Sequence, residues 1–182
     1  MALSSLSELD KFKVTPAAPG YPELARTFYS PVDRVRDALT TLIASATRSV
    51  VVSMHGYNEE LDDAIREKLA SETVFVQMTF DKSQATGVRE KELLRKWHND
   101  GVGNSIAIGR SDRIAIMRLT MVIVDGLDVV TGSTNWSKSG EPDQDNQLTV
   151  IRDALVAAEA RTRLDIIHDD MLKHMAAART GT

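Results

Sequence analysis

The chain has 182 residues, a length that suits one domain with a full core, and 42% of them are hydrophobic. Its formal net charge of −4 lacks the strongly basic balance of a dedicated nucleic-acid binder, although 22 Lys and Arg leave room for a local basic patch. No cysteine is present, which excludes a disulfide framework, thiolate catalysis and Cys-ligated zinc. No apolar run reaches the roughly 18 residues of a membrane helix. The opening MALSSLSELDKFKV has no basic stretch followed by an apolar one, so no secretory signal is expected and the cytoplasm is the expected location.

Residues 1–22 mix Ser, Pro, Ala and Gly without a sustained period and read as a flexible N-terminal arm; residues 23–182 read as the domain. A short strand is expected over Ala25–Tyr29. Ser30-Pro31 then resembles a helix start, with Ser as N-cap and Pro in the first helical position. Val32, Val35, Leu39, Leu42 and Ile43 give that helix one buried face. Arg48–Met54 is rich in β-branched residues and reads as a buried strand. Asn58 is placed to cap a helix whose stripe is Leu61, Ile65 and Leu69. Its acidic start, Glu59, Glu60, Asp62 and Asp63, reads as a solvated first turn and not as a metal site.

A strand follows over Thr73–Phe80, a polar loop over Lys82–Gly87, a charged helix over Val88–Asn99 and a short strand over Ser105–Gly109. Met117–Val124 and Leu127–Val130 flank Asp125-Gly126, the strongest short-range hairpin signal. A polar loop over Gly132–Asp145, a strand over Asn146–Ile151 and a long helix over Asp153–Ala177 complete the chain. The early alternation of strand and helix predicts an α/β fold, a mixed, largely parallel sheet flanked by helices.

The segment Met117-Arg-Leu-Thr-Met-Val-Ile-Val-Asp125-Gly-Leu-Asp-Val-Val-Thr131-Gly-Ser-Thr-Asn135-Trp-Ser137 resembles the signature of the phospholipase D superfamily. That signature reads His-x-Lys, four residues, Asp, six residues, Gly-Ser-x-Asn. Asp125, Gly132, Ser133 and Asn135 match it in type and spacing; Arg118 stands at the His position and Thr120 at the Lys position. Phe28-Tyr-Ser-Pro31 looks like the family's opening strand and turn, and Asp145-Asn146 like the acidic-Asn pair of its single-motif bacterial endonuclease branch.

The resemblance implies a phospholipase D-like sandwich that needs no cofactor and no metal. In the family a neutral His attacks phosphorus, a second His protonates the leaving oxygen, and Lys, Asn and backbone groups hold the phosphate. Members with one motif pair two chains about a two-fold axis, so a homodimer across the motif is expected. Here the guanidinium of Arg118 stays protonated and has no lone pair for attack. Thr120 lacks the positive charge of Lys. Loss of such a nucleophile costs roughly 10⁴ to 10⁶ in rate. The motif positions Arg118, Thr120 and Asp125 are therefore expected to form a disabled catalytic line. Ser133, Asn135, Asp145 and His55 are the expected substrate-binding groups. Arg118 can grip two phosphate oxygens with its fork of donors, and it is expected to pair with Asp145 when the site is empty.

Three functional readings stay open: a catalytically dead binder of phosphate-bearing ligands or nucleic acid, a deliberately altered form of an active phosphodiesterase or nuclease, and an enzyme with a different mechanism using His55. His55 follows the second strand, where a parallel sheet presents its carboxyl edge; it reads either as a substitute base or as a loop histidine. His98 lies near a helix end, and His168 and His174 stand six apart on the last helix, off one face and unsuited to zinc. Trp136 reads as a packing residue. Among lipid, nucleic acid and small phosphodiesters, the compact domain and the absence of an apolar surface helix favour nucleic acid. Stable membrane insertion is not expected.

Overall fold

The computed structural model describes residues 2–55, 59–71, 73–83, 106–111, 115–133 and 145–180. A 3-10 helix, η1 (Leu6–Phe12), precedes β1 (Ala25–Ser30), α1 (Val35–Ala44), β2 (Ser49–Met54), α2 (Glu59–Ala70), β3 (Phe75–Asp81) and β4 (Ile106–Gly109). Then come β5 (Met121–Val124), β6 (Asp128–Gly132), β7 (Asn146–Arg152) and a long helix, α3 (Ala154–Thr180). Asn58, the helix expected over 88–99 with His98, and Asn135 and Trp136 lie outside the described residues.

The strands form one sheet in the order β1-β7-β6-β5-β2-β3-β4. β2, β3 and β4 pair in parallel, whereas β2–β5, β5–β6, β6–β7 and β7–β1 pair antiparallel. β1, β2, β3, β4 and β6 therefore run one way and β5 and β7 the other. The α/β class and the mixed sheet match the expectation, with most strands sharing one direction although four of the six pairings are antiparallel.

Side chains alternate across the sheet. Val50, Val52 and Met54 of β2 pack with α1 and η1 in the larger core. Val51 faces the other way with Ile123, Val129 and the Ala157 and Leu164 of α3. Both faces of β2 are thus buried, which is why it reads as an unbroken apolar run.

Within the segment expected to be a flexible arm, Leu6–Phe12 pack into the core. Leu6 and Leu9 are 0% exposed and Phe12 is buried beside them in the main core. Their spacing of three is the 3-10 period, which a search at 3.6 residues passes over. A capping box starts the turn, with the Ser5 side chain accepting from the Ser7 backbone N–H and Glu8 reaching back to the N-cap. Arg26 donates to Asp10 at 2.7 Å, and Arg152, held by both oxygens of Asp128 at 2.7 and 2.8 Å, also donates to the Leu3 carbonyl.

The first long helix begins at Val35, not at Pro31. Ser30 ends β1, and the Ser30–Pro31 peptide is cis. The carboxylate of Asp33 organises this turn, accepting the N–H of Tyr29 at 2.9 Å and that of Val14 at 2.9 Å. Val32 is consequently exposed, while Val35, Leu39, Leu42 and Ile43 are buried as the periodicity implies.

On the opposite face, α3 meets β3 through a polar seam. Gln77 donates to Asp165 at 2.9 Å, and His168 Nδ1 lies 2.9 Å from the Thr79 hydroxyl. Burial holds the His168 pKa below its ordinary value, against the opposing pull of Asp169 and Asp165. His168 is a packing histidine, and His174 is exposed.

If the N-terminal segment is part of the core, Leu9→Ala will lower the stability by about 2–5 kcal/mol, the usual cost of truncating a buried leucine. Urea unfolding reads this as a lower midpoint at constant slope. An unchanged midpoint would mean that the segment is detached in solution.

Candidate functional site

Strand registers decide which residues share an edge. Met54 pairs with Phe80 and Asp81 with Gly109, so His55, Asp81 and Arg110 come together at the carboxyl ends of β2, β3 and β4. Ser53 pairs with Met121, Met121 with Thr131, Gly132 with Leu148 and Ser30 with Asn146. Thr120, Ser133, Asp145 and Ser30 therefore lie along the same edge. Arg118 precedes β5 there and is exposed; Thr120 and His55 are half-buried; Ser133 and Asp145 are exposed.

Asp125 is parted from this group. β5 separates it from Thr120 by five residues, roughly 17 Å of strand. It occupies the hairpin turn at φ 55, followed by Gly126 at φ 64, the positive pair of a type I′ turn. Its carboxylate accepts the backbone N–H groups of Thr47 (3.0 Å), Arg48 (2.7 Å) and Ser49 (2.9 Å), and the Thr47 hydroxyl at 3.0 Å. Burial raises the Asp125 pKa, but these donors outweigh it and hold the carboxyl below its ordinary value. Of the motif positions expected to form one catalytic line, Asp125 thus sits at the far end of the sheet as a clamp, because a carboxylate beside three free amides is drawn to them.

The segment carrying Arg118 is pinned on both sides. Before it, the Met117 N–H donates to Asp81 Oδ2 at 2.7 Å, and the Met117 side chain is buried with Ala107, Ile167 and Met171. After it, the Ser53 hydroxyl lies 3.4 Å from the Leu119 carbonyl. These bonds take the place of ladder pairing, so β5 starts at Met121 and not at the expected Met117. With its neighbours anchored, Arg118 projects into solvent.

Asp81 is fully buried and was not singled out by its sequence context. Burial raises its pKa, but the Ser83 hydroxyl, the N–H groups of Met117 and Ser83, and the charge of His55 together bring it below the ordinary value. The signal was present: Asp81 ends the apolar run of β3 at the same carboxyl edge that drew attention to His55.

Ser133 continues β6 toward β7, its N–H donating to the Gln147 carbonyl at 3.2 Å and its Oγ accepting the Gln147 N–H at 3.2 Å. Gly132 is required beside it, since a Cβ there would stand 2.0 Å from the Gln147 carbonyl oxygen. Among the described residues no ion pair joins Arg118 to Asp145, contrary to expectation. Arg118 lies between anchors on β3 and β2, whereas Asp145 leads into β7, three strands away from β2. No three His, Asp or Glu side chains converge as a metal-holding group among the described residues.

No family model and no curated protein matches the sequence. Solved structures do. A phospholipase D family member, Nuc from Salmonella typhimurium, is 22% identical with a TM-score of 0.67, covering 79% of this chain and 92% of its own. NucT from Helicobacter pylori is 23% identical with a TM-score of 0.65, covering 79% and 94%. TrmBL2, an archaeal chromatin protein described as showing a novel mode of DNA binding, is 12% identical with a TM-score of 0.57, covering 79% and 51%. The chain has the phospholipase D fold.

Asp125→Ala will lower stability by about 1–2 kcal/mol, because up to three amides lose their acceptor but water reaches part of the site. The Asp125 pKa is lower folded than unfolded, so its contribution is present above about 3.8, the ordinary value, and is lost as pH falls through the folded pKa. The stability difference between the two proteins will therefore shrink in acid, read by urea unfolding at pH 7 and near pH 3. A difference that grows toward acid would contradict this role.

Proposed function

We propose that the chain is a phospholipase D-superfamily scaffold with a disabled catalytic motif, binding phosphate-bearing ligands at the carboxyl edge without efficient hydrolysis. The observation that carries this reading is Arg118, exposed at the nucleophile position on a segment anchored at Met117 and Leu119. Its guanidinium grips two phosphate oxygens, and the hydroxyls of Thr120 and Ser133 complete the set of donors, with Asn135 as the remaining motif group. Nothing in this arrangement requires a cofactor. Arg118 can neither attack phosphorus nor release a proton to a leaving group.

Nucleic acid is the favoured ligand class over lipid. TrmBL2, of like fold, is described as binding DNA, and no helix among the described residues is long and apolar enough to cross a membrane. The single motif and the exposed Tyr29, Ile116 and Leu119 near this edge support a homodimer that faces two such sites together. A cysteine-free chain of this kind fits the cytoplasm.

A second reading has one specific observation behind it. His55 stands at the same edge as the buried carboxylate of Asp81, since Met54 pairs with Phe80 in the β2–β3 register. In that reading His55 is a substitute base.

Hydrolysis of an aryl phosphodiester, with EDTA present, separates the two. The chain as it stands will not turn over, and the Arg118→His, Thr120→Lys double variant will regain activity by roughly 10⁴-fold or more. Turnover by the unaltered chain, abolished by His55→Ala, would overturn the disabled-motif reading in favour of His55.

A further inference from the structure

We infer that Lys82, Arg110 and Arg118 form one cationic track that seats several consecutive phosphates of a nucleic-acid strand. This deepens, and rests on, the reading of Arg118 as a phosphate group holder. Lys82 follows β3, Arg110 follows β4 and Arg118 leads into β5, so the three stand along the carboxyl edge over the half of the sheet ordered β5-β2-β3-β4. The Lys82 N–H donates to the Gly109 carbonyl at 2.6 Å, which fixes the first two beside one another.

All three side chains are exposed. Among the described residues none of them makes a side-chain hydrogen bond or ion pair. Several cations elsewhere are spent on the fold: Arg26 on Asp10, Arg152 on Asp128, Arg161 on Asp165 and Lys68 on the Ala46 carbonyl. Asp81, at the end of β3, is buried and already engaged by Ser83 and Met117. The exposed Asp145 belongs to the other half, before β7. Among the described residues, the β3–β4 side of the edge therefore carries positive charge that no ion pair engages.

Length selects the ligand. Met117 is held by Asp81 at the end of β3 and Leu119 by Ser53 of β2, so Arg118 crosses the edge within one to two strand spacings of Lys82 and Arg110, a track of about 5–10 Å. Phosphates of one strand advance about 3.4 Å each along a helical axis, so the track matches about two or three nucleotides. A single phosphodiester engages Arg118 alone, and a longer backbone engages Lys82 and Arg110 as well. The net charge of −4 does not oppose this, because the relevant field is local.

The test is fluorescence anisotropy of a dye-labelled oligothymidylate over a salt series, with the chain and its Lys82→Ala, Arg110→Ala and Arg118→Ala variants. Arg163→Ala, an exposed cation on α3, is the control. For single strands each phosphate contact adds about 0.7 to the slope of log affinity against log salt. Lys82→Ala and Arg110→Ala will each lower that slope by about 0.7, Arg110→Lys and Arg163→Ala will not, and binding of a thymidine dinucleotide will be unchanged in the Lys82 and Arg110 variants. Oligonucleotide binding that depends on Arg118 but keeps its slope in those variants would overturn the track and leave the Arg118 reading standing. Absence of both oligonucleotide and dinucleotide binding in the unaltered chain would overturn both.

Discussion

A carboxylate at a left-handed turn sets much of this structure. Asp125 reaches from the β5–β6 hairpin to three consecutive amides at the start of β2, while its own N–H donates to the Ser49 carbonyl at 2.8 Å. These bonds fix the register in which Val50 faces Val124. A slip of one residue would turn every side chain of β5 to the opposite face and bring Ile123 out of its core. Because β5 is only four residues long, the clamp at one end also decides where Arg118 and Thr120 emerge at the other. The motif joins a residue that builds the sheet to residues that use its edge.

The edge itself combines rigid support with an altered chemistry. Asp81 and Ser53 hold the backbone on either side of Arg118, and both are fully buried. The same support would serve an imidazole in that position. Placed there, a guanidinium has charge and directed donors but no lone pair for attack, which is the basis of the proposed binding without a covalent step. Ser133 is held equally firmly through its two bonds with Gln147, and Gly132 permits the close approach of β7 that these bonds need.

Much of this was legible in the sequence for identifiable reasons. β2 is buried on both faces, so its apolar run is unmistakable, and Asp125-Gly126 encodes a I′ turn by residue type alone. The motif spacing carried the fold. Three features were hidden. Leu6, Leu9 and Phe12 follow a 3-10 period too short to register as an amphipathic helix. Ser30-Pro31 has the composition of a helix start, but the carboxylate of Asp33 ties Tyr29 and Val14 into a turn, and only tertiary contact reveals that. The division of labour between Asp125 and Arg118 depends on the direction of β5, which motif spacing does not express.

The central claim is that Arg118 holds a phosphodiester that the site leaves intact. Calorimetric titration of a dinucleotide phosphodiester into the chain and into Arg118→Ala, with chromatography of the recovered ligand, addresses it directly. The expected result is saturable binding, ligand recovered uncleaved, and a loss of about tenfold or more in the variant, in keeping with a charge-assisted hydrogen bond. Equal affinity in the two proteins, or cleavage of the ligand by the unaltered chain, would contradict it.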